Sequence, residues 1–129
     1  MSANATTSRT AAVLALGCAL LLLAVSALGL RAQEPAYLAQ LPDLPLMPGL
    51  IEIEGAGIAF DKPDGRIVEA YAGGPVEAQA VRTFYRETLP QLGWRLAGAD
   101  AFAREGERLR LEFLGAAEGL TLRFVLTPQ

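Results

Sequence analysis

The chain has 129 residues, of which 52% are apolar and 19% charged, and its formal net charge is -3. This length accommodates one small folded domain, and the composition excludes a disordered acidic tail, a basic nucleic-acid module and a disulfide scaffold. Histidine is absent from the whole chain, and residues 32–129 also lack serine, asparagine and cysteine. Triad and Cys-His catalysis and zinc or copper sites are therefore excluded there, and we expect no enzyme activity and no cofactor.

Residues 11–30 form an uncharged apolar run between Arg9 and Arg31. A helix of this length is about 30 Å long, which matches the hydrocarbon core of a bilayer. The run predicts a transmembrane anchor. A cleaved signal peptide remains open because small residues occur at 25–29, and a lipoprotein signal remains open because Cys18 follows Gly17.

The balance of charges bears on localisation and partners. Arginine greatly outnumbers lysine, as in GC-rich bacterial genomes, and Arg9 with the amino terminus slightly favours a cytoplasmic start. We therefore expect a bacterial inner-membrane protein whose C-terminal domain faces the periplasm. Its partners would be the membrane, through residues 11–30, and another envelope protein. Residues 32–129 carry 14 acidic and 9 basic side chains, which argues against nucleic acid.

A proline-spaced segment follows at residues 31–50, so we divide the chain into 1–30, this linker, and an α+β domain at 51–129. Prolines recur every third residue, at Pro42, Pro45 and Pro48. Apolar residues recur with the same period at Leu41, Leu44, Met47 and Leu50. The period is that of polyproline II, which docks in partner grooves. We favour a different interpretation, in which the segment packs on its own domain or spaces that domain from the membrane. Leucines exposed to water would otherwise be unfavourable.

Residues 58–92 predict a hairpin followed by one amphipathic helix. Two strands, 58–60 and 66–71, flank a turn at Lys62–Gly65. Pro75 suits the first helical position, and an apolar face at helical spacing runs from Val76 to Leu92. Pro90 predicts a kink or a loosened last turn, and Gly93 predicts the helix stop.

After the helix, the period of the apolar residues changes to two, in segments 94–96, 101–104, 108–113 and 120–126. Alternation of this kind indicates antiparallel strands with one buried face. A register that sets Phe113 opposite Leu122 also sets Glu112 opposite Arg123, which is electrostatically favourable. The order β-β-α-β-β-β-β predicts an α+β fold with one helix packed on an antiparallel sheet. The expected core consists of Phe84, Tyr85, Leu89, Leu92, Trp94, Leu111, Phe113, Leu122 and Phe124.

The segment Phe84–Trp94 reads FYRETLPQLGW, an FYxxxLPxLGW pattern. It resembles a pattern in small uncharacterised proteobacterial exported envelope proteins and lipoproteins, and residues 60–66 resemble the hairpin that precedes it there. The resemblance covers roughly residues 45–127. It implies an exported α+β module without a known activity, and no site residue follows from it. The poor lipobox at Cys18 departs from the lipoprotein members.

Charged side chains supply the candidate contacts. We expect partner contacts at Arg82, Arg86, Arg108, Arg110 and Arg123, the last three on the solvent face of the sheet. The leading hypothesis is a non-catalytic module that binds an envelope protein through this face or through a sheet edge. The alternative is a lipid or small apolar ligand carrier with a pocket between helix and sheet. A carboxylate hydrolase, a calcium site and a dinucleotide loop have only weak support from the residue spacing.

Overall fold

The computed structural model describes residues 34–116 and 119–129, so the apolar run at 11–30 lies outside the described residues. Residues Pro35–Gln129 form one compact unit. Its helix α1 spans Ala78–Thr88, and a 3-10 turn follows at Leu89–Leu92. The strands are β1 (Tyr37–Leu38), β2 (Leu41–Pro45), β3 (Ile51–Glu52), β4 (Ile58–Lys62), β5 (Gly65–Gly74), β6 (Arg95–Gly98), β7 (Ala101–Arg104), β8 (Glu107–Ala116) and β9 (Gly119–Pro128). Within the described ranges, no helix is long and apolar enough to cross a membrane.

The main sheet is antiparallel and runs in the order β3-β5-β9-β8-β7-β6, and β4 also pairs with β5. The register confirms the sequence-based pairing of β8 with β9, in which Phe113 lies opposite Leu122 and Glu112 lies opposite Arg123. The fold is thus α+β, with one helix packed against antiparallel strands. The turn between β4 and β5 lies where Pro63 and Gly65 predicted it.

One face of the sheet, here called the core face, is covered by α1 and by the β1–β2 hairpin. Alternate residues of β5, β8 and β9 point into this layer, which explains the period of two in their sequences. From α1, Val81 and Tyr85 are fully buried against these strands. The Tyr85 ring meets the Phe124 ring edge-on, with 5.7 Å between centroids. Helix and sheet are therefore in direct contact at the centre of the core.

The proline-spaced segment belongs to this core. Leu41 and Leu44 of β2 are buried, as are four nearby apolar residues of the same stretch. These are Leu38, Pro45, Leu46 and Leu50. The compact unit therefore begins at Pro35 rather than at residue 51. The segment pairs as strands because β1 and β2 satisfy each other's backbone groups, which polyproline II would leave to water.

Tyr85 joins the helix to this hairpin. Its hydroxyl donates a hydrogen bond to the Pro45 carbonyl (3.0 Å) and accepts one from the Met47 amide (3.4 Å). Burial raises the pKa of Tyr85, and the Met47 hydrogen bond offsets this only in part. A neutral hydroxyl is thus built into the contact between two elements that are about forty residues apart.

Two sequence-based expectations about the helix are wrong, and both errors have a local cause. The helix begins at Ala78 rather than at Pro75, because Gly73 and Gly74 continue the pairing of β5 with β9. Leu92, expected in the core, is 39% exposed. The 3-10 turn that accommodates Pro90 advances each residue by about 120° instead of 100°, which rotates Leu92 outward. Of the other expected core residues, Phe84 and Phe113 are only partly buried.

The helix stop expected at Gly93 is confirmed, whereas the last turn at Pro90, expected to be kinked or loosened, is tightened instead. The α-helix stops at Thr88 and tightens into the 3-10 turn that contains Pro90. Gly93 then takes a left-handed conformation with φ of 86°, and its amide bonds back to the carbonyls of Leu89 and Pro90. A residue with a side chain is strained in this conformation. The chain can therefore reverse into β6 immediately after the helix.

Replacing Leu44 with alanine tests whether the proline-spaced segment is core. We expect Leu44→Ala to lower the free energy of unfolding by about 2–5 kcal/mol, because it empties a fully packed site. The control is Leu96→Ala on β6, whose side chain is 57% exposed and which should cost less than about 0.5 kcal/mol. Urea denaturation measures both. Equal effects of the two variants would show that the segment does not pack on the domain.

Replacing Tyr85 with phenylalanine tests the helix–hairpin contact through pH. Because the folded pKa lies above the unfolded value of about 10, the neutral hydroxyl stabilises the fold fully below that pH. This contribution is lost as the pH rises towards the folded pKa. Tyr85→Phe should cost about 1–2 kcal/mol at neutral pH, because it leaves the Pro45 carbonyl without its hydrogen bond.

Above about pH 10 the Tyr85→Phe variant should lose less stability per pH unit than the parent protein, since it no longer carries this phenol. Tyr37→Phe, at an exposed position of β1, is the matched control. Denaturation curves between neutral and alkaline pH measure the slopes. Parallel slopes for parent and Tyr85→Phe would contradict the buried neutral phenol.

Candidate functional site

The face of the main sheet opposite α1, here called the open face, is the candidate site. The register determines which side chains lie on it, because residues that alternate with the core residues point to the other side. From edge to edge these are Ile51; Ile58, Phe60 and Lys62; Ile67, Glu69, Tyr71 and Gly73; Thr121, Arg123, Val125 and Thr127; Arg108, Arg110, Glu112 and Leu114; Ala101 and Ala103; and Arg95.

A network of ion pairs crosses the middle of this face. Arg123 bonds to Glu69 on β5 (2.6 Å) and to Glu112 on β8 (2.8 Å), so one guanidinium bridges three strands. The second oxygen of Glu112 accepts from Arg110 (2.7 Å), and Glu69 accepts from the Tyr71 hydroxyl (3.3 Å). The hydrogen bonds with Glu69 and Glu112 raise the pKa of Arg123. The network contains two arginines and two glutamates and is therefore neutral.

Large apolar side chains surround the network without being buried. Phe60 and Ile58 of β4 are each about half exposed, and Ile51 of β3 is 76% exposed. At the far end of β8, Leu114 is 42% exposed. Ile53 lies over Gly73, at which an added Cβ would contact its side chain at 3.6 Å. Of the eight large apolar residues that are exposed among the described positions, four thus lie on the open face by register.

Arg108 crosses the open face towards its far edge. It starts on β8, and its guanidinium donates to the Ala97 carbonyl on β6 (3.3 Å), so the side chain passes over β7. This explains why Ala101 and Ala103 are buried although they point away from the core. Arg108 thus holds its guanidinium above β6, the edge strand that also carries Arg95.

The other two predicted contacts lie elsewhere. Arg82 and Arg86 are on α1, and both bind the turn between β6 and β7. Arg82 pairs with Asp100 (2.9 Å), and its guanidinium lies 4.2 Å from the centre of the Phe113 ring. Arg86 donates to the Ala99 carbonyl (2.8 Å). The structure therefore brings Arg108, Arg110 and Arg123 together and separates them from the helix pair, whose contacts attach the helix to a loop.

The predicted pocket between helix and sheet is occupied by side chains where it was expected. Leu89 and Phe124 are fully buried, and Tyr85 fills the space beside Phe124. An open cleft of about 460 Å³ lies at another place, between the β4–β5 turn, the β7–β8 turn and Pro128. Arg66 and Glu107 form a two-bond ion pair beside it (2.7 and 3.3 Å). This cleft is polar and lies away from the aromatic core.

Arg104, on the wall of the cleft, ties together three elements that sequence reasoning did not connect. It forms an ion pair with Asp43 of β2, donates to the Leu92 carbonyl (3.1 Å), and lies 4.4 Å from the centre of the Trp94 ring. Partial burial raises the pKa of Asp43, but the hydrogen bond and charge of Arg104 outweigh this, so that its pKa lies below the ordinary value. No sequence signal pairs residues 61 positions apart.

The lowered pKa of Asp43 predicts a loss of stability in acid. A carboxylate with a lowered folded pKa stabilises the protein above its unfolded pKa, about 3.9, and this contribution disappears as the pH falls through the folded pKa. Asp43→Asn should therefore be less stable than the parent at neutral pH, by under about 1 kcal/mol because the side chain is partly exposed.

Below about pH 4 the difference between parent and Asp43→Asn should shrink towards zero. Denaturation curves at neutral and acidic pH give both values, and Asp61→Asn on the exposed strand β4 controls for the change in net charge. A difference that stays constant across this range would show that the Asp43 carboxylate is not held by Arg104.

No protein-family model, no curated protein and no solved structure matches this chain. The likeness of Phe84–Trp94 to envelope proteins therefore stays a prediction from the sequence. In the structure these residues have packing roles, since Tyr85, Leu89 and Trp94 are buried. The chemistry of the open face is what remains for inferring a function.

Proposed function

We propose that this chain is a non-catalytic protein-binding or assembly module of the bacterial envelope. In this proposal residues 11–30 anchor the chain in the inner membrane, the α+β domain faces the periplasm, and the open face binds another envelope protein. The observation that carries the proposal is the composition of that face, on which exposed Ile58, Phe60 and Leu114 surround an ordered ion-pair network.

Two physical arguments support binding at this face. Burying exposed apolar side chains against a partner lowers the free energy of the complex by about 25 cal/mol for each Å² removed from water. A network of paired charges held by strands is preorganised, so that less ordering entropy is lost on association. A partner would thus gain affinity from the apolar residues and orientation from the charges.

A ligand carrier is the less favoured function. Its pocket would lie between α1 and the sheet, where Tyr85 and Phe124 are in contact and Leu89 is fully buried. A bound lipid would have to displace Tyr85, whose hydroxyl holds the hairpin through Pro45. The packing of this layer therefore supports a structural role for the helix.

Site-specific photo-crosslinking in the producing cells tests the proposal. A benzophenone side chain in place of Phe60 preserves an aromatic residue on the open face, and the same group in place of Gln79, exposed on α1, is the control. We expect a discrete protein adduct from position 60 and none from position 79. Adducts of equal yield from both positions, or no protein adduct from position 60, would contradict binding through the open face.

A further inference from the structure

The charges of the domain are unevenly distributed between the open face and the rest. Register positions on the open face carry five cations and two carboxylates, whereas all other described positions carry four cations and eleven carboxylates. The five cations are Lys62, Arg95, Arg108, Arg110 and Arg123. The open face is thus positive on a domain that is otherwise strongly acidic.

The surplus positive charge comes from three residues outside the central network. Arg110 and Arg123 are neutralised by Glu69 and Glu112. Lys62, Arg95 and Arg108, in contrast, form no ion pair with any carboxylate in residues 34–116 and 119–129.

Two of these three residues lie in one cross-strand row near the same edge of the sheet. In the register, Arg95 of β6 and Arg108 of β8 flank Ala103 of β7, so their backbones are two strand spacings, about 10 Å, apart. Because Arg108 reaches over to the Ala97 carbonyl, its guanidinium lies above the same edge of the sheet as Arg95. We call this pair the edge arginines.

One row of side chains connects the edge arginines to the exposed apolar residues. It runs across six strands from Phe60 through Ile67, Thr127, Arg108 and Ala103 to Arg95. One end of the row is apolar and the other end is cationic. Five strand spacings separate the ends, which is about 24 Å.

We propose that the open face docks an acidic protein surface, with the partner's carboxylates placed over the edge arginines Arg95 and Arg108 and an apolar side chain placed over Phe60. This inference rests on the proposed function, and it specifies the chemistry of the partner. A carboxylate pairs with each guanidinium through charge-assisted hydrogen bonds, for which arginine geometry is well suited.

The central network favours a protein over an anionic lipid surface. A flat bilayer surface would lie against the whole face and would bring its negative charges to Glu69 and Glu112 as well as to the edge arginines. A protein surface can place carboxylates at one edge only and leave the neutral centre undisturbed. The acidic remainder of this domain is also repelled by an anionic membrane, which disfavours close approach in other orientations.

The test combines crosslinking with a charge reversal in the full-length chain, expressed in the producing cells. A benzophenone side chain in place of Thr127 lies in the row next to Arg108, and the adduct is identified by mass spectrometry. Arg108→Glu is compared with Arg86→Glu on α1. Each arginine donates one hydrogen bond to a backbone carbonyl, at 3.3 Å and 2.8 Å respectively, and the charge change is identical, although only Arg108 is partly buried.

We expect a protein adduct whose crosslinked peptide is rich in Asp and Glu. Its yield should fall about tenfold in Arg108→Glu and stay within about twofold of the parent in Arg86→Glu, because only the first variant brings like charges together. Added salt should lower the yield in the parent chain. Circular dichroism of each purified variant checks that both charge reversals leave the fold intact; if Arg108→Glu unfolds, Arg108→Gln replaces it, with the same direction expected.

Three results would overturn the inference in distinguishable ways. A protein adduct that survives Arg108→Glu, or a crosslinked peptide without acidic residues, would leave the proposed function standing and remove the acidic partner. Adducts with lipid alone would show that the open face contacts a membrane surface instead of an acidic protein. The absence of a protein adduct at position 60, which contradicts binding through the open face, would overturn the proposed function together with the inference.

Discussion

The seven-stranded sheet has more surface than the described helix and hairpin can cover, and the rest of the structure depends on this constraint. Within residues 34–116 and 119–129, one α-helix of 11 residues and one short hairpin pack against a sheet of seven strands, and both lie on the same face. The core face can therefore be packed with leucines and aromatic rings, whereas the open face must be stabilised by its own side chains. Ion pairs between strands, and the aliphatic parts of long arginines lying over alanines, serve that purpose.

Two sets of polar contacts connect the elements of the covering layer to one another and to the sheet. Tyr85 connects the middle of the helix to β2, and Arg104 connects β7 to β2 and to the 3-10 turn. Since β2 is only five residues long, its position depends on these contacts as well as on its buried leucines.

Local patterns predicted the parts of this fold that depend on local chemistry. The Pro63–Gly65 turn, the stop at Gly93 and the pairing of Glu112 with Arg123 follow from φ preferences and from neighbouring charges, and all three are confirmed. The strands at 37–45 escaped prediction because a period of three in prolines masks a hairpin whose partner strands are very short. The contacts of Arg104 depend on tertiary packing, which a local pattern does not contain. For the site, alternation placed Arg108, Arg110 and Arg123 on one face, but the surplus charge at Arg95 emerged only from the strand order.

We propose that the open face is exposed in the isolated protein and covered in its assembly. Hydroxyl-radical footprinting measures this directly, because it oxidises accessible Phe, Leu and Ile side chains in purified protein and in native membranes alike. We expect Phe60, Ile58 and Leu114 to lose reactivity in native membranes, while Leu92 and Leu96, exposed elsewhere on the domain, keep theirs. Unchanged reactivity of Phe60 and Leu114 between the two samples would contradict this proposal.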